Sequence, residues 1–353
     1  MKYLITALAW VLFSLPSQAD WSANYTSDVA SVLDGGIKRG TVYLDNFELS
    51  FSGETTDGEW SSTLLTTNSQ TFSDSHVGDS QVASNIDNGQ MIRLYELWYL
   101  QRYDQWHWQV GLIDLNGLYD TIDTAGLFLN SSHGIGPDFS QSGDNGPSIF
   151  PVTSLAISLH WQLTPQWDWQ LGVFDAVPGD PDHPKRNTIH VSRHEGALLA
   201  SEITHTSNTL RTTLGAWHYT EPVLDDSHQP LGRNNGQYII VEHPNEEGWA
   251  WWLRTGSARS QLNSVDTYTG AGLTHPIAGG TAGISVAHAN FSEDSGGSAE
   301  TTWEATYAFS VNPVLSLQPS LQFVQQPKHS GINDATVFIL RIGIDIEAWI
   351  KRK

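Results

Sequence analysis

The sequence predicts an all-β protein, a transmembrane antiparallel up-and-down β-barrel of about sixteen strands. Three observations lead to this prediction. Apolar and polar residues alternate through many segments, turn signals separate those segments, and many of the apolar faces begin or end in Trp, Tyr or Phe. A period of two is typical of half-buried strands. Aromatic residues at both ends of a lipid-facing band are typical of membrane barrels.

The first twenty residues, MKYLITALAWVLFSLPSQAD, form a separate element. Lys2 precedes an apolar stretch, Pro16 breaks it, and small residues lead to Ala19, which is the pattern of a secretory signal peptide. A membrane anchor is the alternative, but the stretch is short of the roughly 20 residues that a helical span needs. We therefore expect residues 1–19 to be a signal peptide for export through the inner membrane, and 20–353 to form one domain.

The strands follow from the alternation. Clear examples are the segments 155–163, 167–173, 303–311, 315–323 and 338–346. Short signals such as LTPQWD, VNPV and TGAG, and longer polar ones such as SEDSGGSAE, separate the alternating segments. At roughly ten residues per strand plus connections, the expected domain accommodates about sixteen strands, enough to leave an aqueous channel. A soluble β-sandwich is the alternative, but the number of strands and their aromatic ends favour the barrel.

The composition argues against several classes of function. The formal net charge is −21, which argues against nucleic acid as a partner. The chain has no cysteine, so an exported protein must be held by packing or by a closed sheet. No cofactor fingerprint and no catalytic nucleophile motif stands out, so we expect no enzyme, no cofactor and no metal. His190 and His194 in HVSRHE lack the order of a zinc protease motif.

Several motifs in order carry a family resemblance. SNIDNGQMIRLYELWYLQ, VGLIDLNGLYDTIDTAGLFLNSSHGIGPDFSQSGDNGPSIFP and GVFDAVPGDP resemble the carbohydrate-selective porins of Gram-negative bacteria, the OprB-type porins. The resemblance implies a sixteen-stranded barrel in the outer membrane that lets small sugars diffuse through, with lipid and lipopolysaccharide around it, as a monomer or a trimer. A general, weakly cation-preferring diffusion porin and a soluble secreted carbohydrate-binding protein are the alternatives.

Arg93 and Glu96 lie within one aromatic-rich run, MIRLYELWYLQ. Residues three apart face opposite sides of a strand unless a bulge intervenes. A charge facing lipid at mid-depth costs roughly 2–4 kcal/mol. We therefore expect both side chains in the lumen across a bulge, or one of them at the membrane rim. The pair either stiffens the wall by a direct contact or lines the pore and exchanges hydrogen bonds with sugar hydroxyls.

The segment from Gly117 to Pro151 is too long for a turn and carries three phenylalanines. Because aromatic side chains need something to pack on, we expect this segment to fold partly into the pore and narrow it. The candidates for pore lining and sugar contact are Arg93, Glu96, Asp114, Asn116, Asp120, Asp123, Arg254 and Arg341. Trp349 and Ile350 are followed by three cations, KRK, where many outer-membrane barrels carry a final aromatic residue. We expect an internal assembly signal or a short periplasmic extension.

Overall fold

The structure is a computed structural model that describes residues 20–68, 71–189, 194–225, 227–329 and 331–352. The predicted signal peptide and His190 lie outside the described residues. No helix in the described ranges has the length and apolar character needed to cross a membrane.

Sixteen strands form one closed antiparallel barrel, as the alternation predicts. They are β1 Asp20–Gly36, β2 Gly40–Glu54, β3 Gly58–Thr67, β4 Met91–Arg102, β5 Trp106–Ile113, β6 Ser154–Thr164, β7 Trp167–Asp175, β8 Ala197–Thr206, β9 Arg211–Leu224, β10 Pro230–His243, β11 Ala250–Ala258, β12 Val265–Ile277, β13 Gly280–Phe291, β14 Ala299–Asn312, β15 Leu315–Gln325 and β16 Asn333–Asp345. Each strand pairs with its neighbours in sequence, and β1 pairs with β16 to close the barrel.

The connections differ at the two ends of the barrel. One end carries mostly tight turns, together with the start of β1 and the end of β16. The other end carries the long connections, of which three are the longest: inner loop 1 (68–90), inner loop 2 (114–153) and the β7–β8 loop (176–196). In bacterial outer-membrane barrels the short turns face the periplasm and the long loops face outside. By this rule the short-turn end of the barrel faces the periplasm.

The barrel is apolar outside and polar inside. Large apolar side chains on the outer face are widely exposed, for example Ile284 at 60%, Leu214 at 52% and Trp303 at 52%. The inner face buries charged residues completely, such as Glu300 and Arg254. This inversion of the soluble pattern is what a barrel surrounded by lipid requires. It confirms the expected strand faces.

Both inner loops fold into the lumen and pack on the wall. Phe128 and Phe139 of inner loop 2 are at most 2% exposed, and the Phe139 ring stacks on Trp217 with ring centroids 5.0 Å apart. Phe72 of inner loop 1 is fully buried in a second apolar cluster. Inner loop 1 contains a π-helical turn, Ser73–Val77, and inner loop 2 contains three 3₁₀ turns and the short helix α1, Pro137–Ser140. The expectation that 117–151 enters the pore is confirmed.

Two local expectations are wrong. Residues 269–272, the TGAG taken as a turn, lie within β12. Gly270 and Gly272 face inward there, where an added Cβ would lie 2.9 and 2.5 Å from atoms of the Trp252 ring. These glycines therefore provide room for an aromatic side chain. The alternation at 338–346 stops one residue early, because Ile346 begins a helix, α2 (Ile346–Lys351).

Candidate functional site

Lumen-facing glutamates dock the inner loops to the wall. The Glu300 carboxylate on β14 accepts hydrogen bonds from the backbone N–H groups of Ser80 (2.8 Å) and Gln81 (2.9 Å) in inner loop 1. Glu304, four residues further along the same strand, accepts from Leu129 (2.9 Å) and Asn130 (3.0 Å) in inner loop 2. Charge-assisted bonds of this kind are stronger than neutral ones. Each glutamate therefore holds a loop and satisfies backbone donors that would otherwise be buried without partners.

Three further wall glutamates hold inner loop 2 in the same way. The backbone N–H groups that they accept are those of Asp120 (2.7 Å, to Glu202), Thr124 (2.6 Å, to Glu242) and Asp114 (3.2 Å, to Glu96). The glutamates come from β8, β10 and β4. Because they surround the loop from several sides, its position across the lumen is fixed.

Arg254 on β11 is a second type of loop anchor. Its guanidinium forms two hydrogen bonds to the Asp120 carboxylate, 3.1 Å from Nε and 2.7 Å from Nη2, and also binds Asp138. The rings of Tyr238 and Tyr268 flank it at 5.1 and 5.3 Å. The Arg254 and Asp120 side chains are each 1% exposed. These two candidates contact one another instead of facing open space.

Arg93 and Glu96 both turn inward, and the bulge between them is present. Thr63 pairs with Glu96 and the next residue, Leu64, pairs with Leu94, which leaves Tyr95 as the extra residue of β4. The two charged side chains serve different loops: Arg93 donates to the carbonyls of Pro184 and Arg186 in the β7–β8 loop, and Glu96 binds inner loop 2.

Between the inner loops and the wall of β1, β2 and β16 lies an open cavity of about 480 Å³. Its polar lining comes from the wall and from both inner loops: Asn46, Glu48, Arg341, Asn85, Asn88, Asp114 and Asn116. Ile86, Ile135 and Phe150 add apolar surface. The cavity therefore offers donors, acceptors and apolar contacts within the space of a small ligand.

Arg341 is the cation of this cavity wall. Its Nε and Nη2 atoms each lie 2.8 Å from one oxygen of Asp28, and Nη2 also donates to the Asn85 side chain at 2.7 Å. The Arg341 side chain is still 15% exposed. Asp28 holds the guanidinium in one orientation, while Asn85 links it to inner loop 1.

The other polar groups of the cavity lining are carboxylates and amides. Asn46 donates to the Glu48 carboxylate at 2.9 Å on β2. Asp114 accepts from the Tyr95 hydroxyl at 2.6 Å, and burial raises the pKa of Asp114 above its ordinary value. The Asn116 amide donates to three carbonyls within inner loop 2, including Gly134 at 3.0 Å. Asn116 therefore shapes the loop edge that faces the cavity.

Asp123 lies at a second cavity, of about 360 Å³, below inner loop 2 toward the short-turn end. It pairs with Arg211 at 2.9 Å, and Arg211 also pairs with Glu242 at 2.7 Å. Of the eight candidates, the structure thus brings Asp114, Asn116 and Arg341 to the 480 Å³ cavity. The sequence interpretation missed Asn46 and Glu48, although their alternate positions in the β2 segment YLDNFEL place them on one face.

A family model and several solved structures are similar to this chain. The model of the carbohydrate-selective porin OprB family matches residues 44–346. That match spans most of the chain. The chain belongs to the OprB family of carbohydrate-selective porins. As a member of that family it is a channel through which carbohydrates diffuse passively across the outer membrane of a Gram-negative bacterium, and the predicted resemblance is confirmed.

Solved porins share the fold of this OprB-family chain. The high-pH structure of OprB from Pseudomonas putida superposes with a TM-score of 0.79 at 19% identity, covering 93% of this chain and 94% of that one. The low-pH structure of the same protein gives 0.60 at 16% identity, covering 93% and 92%. A triple mutant of Rhodopseudomonas blastica porin gives 0.58 at 11% identity, covering 93% and 100%. No curated protein matches the chain in sequence.

Proposed function

We propose that sugars cross this porin through the 480 Å³ cavity between the inner loops and the wall of β1, β2 and β16. The observation that carries the proposal is the polar lining contributed from both sides of that cavity, with Glu48 and Arg341 on the wall and Asp114 on inner loop 2. The opposite side of the lumen is filled by inner loop 2 and its apolar packing. A hydrated sugar therefore has its passage beside β1, β2 and β16.

The chemistry of the lining suits a neutral polyol. A carboxylate accepts hydrogen bonds from sugar hydroxyls, a guanidinium donates to them, and an amide does both. Ile86, Ile135 and Phe150 supply apolar surface for the C–H faces of a sugar ring. Each contact is weak and exchangeable, which a channel requires because a tightly held permeant does not leave.

Ion transport is the second candidate function, because one observation favours it. The cavity lining includes the acidic residues Glu48, Asp87 and Asp114 against the single lining cation Arg341, which Asp28 partly neutralises. An excess of carboxylates raises the local concentration of cations. A general porin with this lining would prefer cations weakly and would order neutral solutes by size.

Liposome swelling separates the two functions. Vesicles containing the porin are exposed to a monosaccharide, an amino acid and a disaccharide, and the initial swelling rates are compared. A sugar channel passes the monosaccharide faster than its size predicts, and Glu48→Ala reduces that advantage severalfold. Glu246→Ala, in the exposed β10–β11 turn, is the matched control and leaves the ratio unchanged. Rates ordered strictly by size in the unmodified protein would contradict the sugar-selective function.

We also propose how the chain is exported, what surrounds the barrel, and that the protein is not an enzyme. Residues 1–19 direct export through the inner membrane and are removed after Ala19. The mature barrel is surrounded by lipid and lipopolysaccharide, which the exposed apolar outer face supports. The protein performs transport without catalysis, which its membership of a porin family supports. N-terminal sequencing of protein purified from the outer membrane tests the cleavage, with Asp20 as the expected first residue.

A further inference from the structure

The helix α2 stands where the barrel wall would otherwise have a free edge. The pairing of β16 with β1 stops at Asp345, opposite Asn24. The first residues of β1, from Asp20 to Ala23, continue beyond that point and pair with β2. The helix follows directly and packs against β1. Its first turn is capped by Asp345, whose carboxylate accepts from the Ala348 N–H at 2.8 Å. The helix therefore prolongs the wall at the short-turn rim.

One side of α2 is apolar and exposed. Ile346, Trp349 and Ile350 are spaced i, i+3, i+4 and so share one side of the helix. Trp349 is 49% exposed and Ile350 is 47% exposed. The helix follows directly after β16, whose alternation places Ile342 and Ile344 on the outer face, opposite the inward Arg341. An exposed Trp beside aliphatic residues at the end of a lipid-facing wall is typical of the membrane interface.

Cations follow this apolar surface immediately. Lys351 and Arg352 are exposed, and Lys353 comes next in the sequence. The whole chain has 17 Lys and Arg against 38 Asp and Glu, so a run of three cations is exceptional. Lys351 also pairs with Glu347 one turn earlier, which orders the last turn of the helix. The helix thus presents apolar groups and positive charge at one rim of an acidic protein.

We propose that α2 is an interfacial anchor that binds anionic phospholipids of the periplasmic leaflet. Trp349 and Ile350 enter the boundary between headgroups and acyl chains, and Lys351 and Arg352 bind the lipid phosphates. An amphipathic helix with Trp on one side and basic residues beside it lies in the plane of the interface. The attraction requires anionic lipid, because it comes from the two cations meeting negatively charged headgroups.

A phospholipid leaflet fits this surface better than a periplasmic protein does. The helix follows the lipid-facing strand β16 directly and packs on β1, so it stands where lipid meets the end of the wall. A helix of six residues is also too short to supply the roughly 800 Å² per partner of a stable protein interface. The positive charge of Lys351 and Arg352 is complementary to the lipid phosphates.

Depth-resolved fluorescence quenching tests the anchor. The chain has no cysteine, so Ile350→Cys introduces a unique site for a bimane label in the full-length barrel. The labelled protein is reconstituted in vesicles that contain phosphatidylglycerol, with nitroxide on carbon 5 of the acyl chain as the lipid quencher and iodide as the aqueous one. The matched control is Glu246→Cys, in a polar turn at the same rim.

The proposal predicts severalfold stronger nitroxide quenching at 350 than at 246, and the reverse order with iodide. Replacing both cations, Lys351→Ser with Arg352→Ser, should lower the ratio of lipid-bound to free helix roughly tenfold in phosphatidylglycerol vesicles. The same pair of substitutions should have little effect in vesicles of zwitterionic lipid. The unheated barrel must keep its compact gel mobility in every variant, which shows that the wall is folded.

Two results would overturn the anchor. Free access of iodide to position 350, with no nitroxide quenching, would mean that α2 faces water or a periplasmic protein. Equal lipid quenching with and without Lys351 and Arg352 in anionic vesicles would mean that the helix touches lipid without recognising its charge. Neither result depends on which solutes the channel carries, so the anchor and the sugar pathway are tested separately.

Discussion

Two walls of the same lumen use the same residue types for different purposes. On β4, β8, β10, β11 and β14, glutamates and Arg254 face the inner loops, and their polar atoms bind loop backbone or loop carboxylates. On β1, β2 and β16, Glu48 and Arg341 face the open cavity. The two groups differ in what lies opposite each side chain. A charged side chain that a loop covers stabilises the fold, whereas a charged side chain that faces water can contact a permeant.

The largest expected effect comes from replacing Arg254, which lies on the wall that the inner loops cover (β4, β8, β10, β11 and β14). Arg254→Met leaves Asp120 and Asp138 buried without their cation, which should destabilise the barrel by about 3–5 kcal/mol. The transition temperature for the shift in gel mobility should drop, and single-channel conductance should rise as inner loop 2 loosens.

The matched control is Arg39→Met. Arg39 pairs with Asp34, but both side chains are about 70% exposed, so the loss should be at most about 1 kcal/mol. Equal effects of the two substitutions would contradict the difference between covered and open charges.

Asp79, a buried carboxylic acid of inner loop 1 beside Glu300, offers a pH-dependent test of the contact between this loop and the wall. Burial, together with the Glu300 carboxylate, raises the pKa of Asp79 to about 7. The folded protein therefore keeps a proton that the unfolded chain releases near pH 4. The resulting stability is present at low pH and is lost as the pH rises through about 7. Asp79→Asn should remove this loss, with a transition temperature roughly 5 °C above that of the unmodified protein at pH 9.

The same measurement at pH 4 should show little difference between Asp79→Asn and the unmodified protein, because both side chains are then neutral. Asp104→Asn, in the exposed β4–β5 turn, is the control at both pH values. A constant gap from pH 4 to pH 9 would mean that Asn acts through packing and not through charge.

Arg93 lies on β4, beneath the β7–β8 loop, although its sequence position suggested a pore-lining role. Its guanidinium binds carbonyls of the β7–β8 loop, so Arg93→Gln should lower the transition temperature, corresponding to about 1.5–3 kcal/mol for lost charged hydrogen bonds. Ion selectivity should stay unchanged. A reversal potential that shifts toward cations in a salt gradient would instead place Arg93 among the pore-lining charges.

The smallest effect on stability, and a clear one on transport, is expected at Glu48. Glu48→Gln keeps the shape and one acceptor but removes a charge from the open wall. The reversal potential should move away from cation preference by a few millivolts, while the transition temperature stays the same. Glu246→Gln makes the same change in an exposed turn and should alter neither quantity.

The barrel was predictable because alternation is a local property of the chain. The segments around Ile157, Trp303 and Leu321 show their outward faces within a few residues. The lumen was not predictable in the same way. The bond from Gln81 to Glu300 joins residues 219 positions apart, and nothing near either residue indicates the other. Asn46 and Glu48 have ordinary strand positions until the loops leave open space beside them.

Glycine shows the same limit of local reasoning. Gly270 and Gly272 have the composition of a turn, yet they lie in β12 because Trp252 occupies the space that side chains there would fill. The atoms nearest to Gly270 belong to Tyr268 on the same strand and to Trp252 on β11, and those nearest to Gly272 belong to Trp252 and to Phe128 of inner loop 2. A glycine therefore predicts either a turn or the close approach of another side chain, and which of the two it is depends here on residues of other elements as well.

The docking of inner loop 1 on Glu300 has a consequence for the order of assembly. The loop leaves the chain after β3, but its anchor lies on β14, near the other end of the sequence. Because β14 lies next to inner loop 1 only when β16 meets β1, the loop has no binding site until the barrel closes. The passage must therefore form wide and become narrow last. Any defect that delays closure of the barrel would leave in the membrane a wide pore that inner loop 1 does not yet narrow.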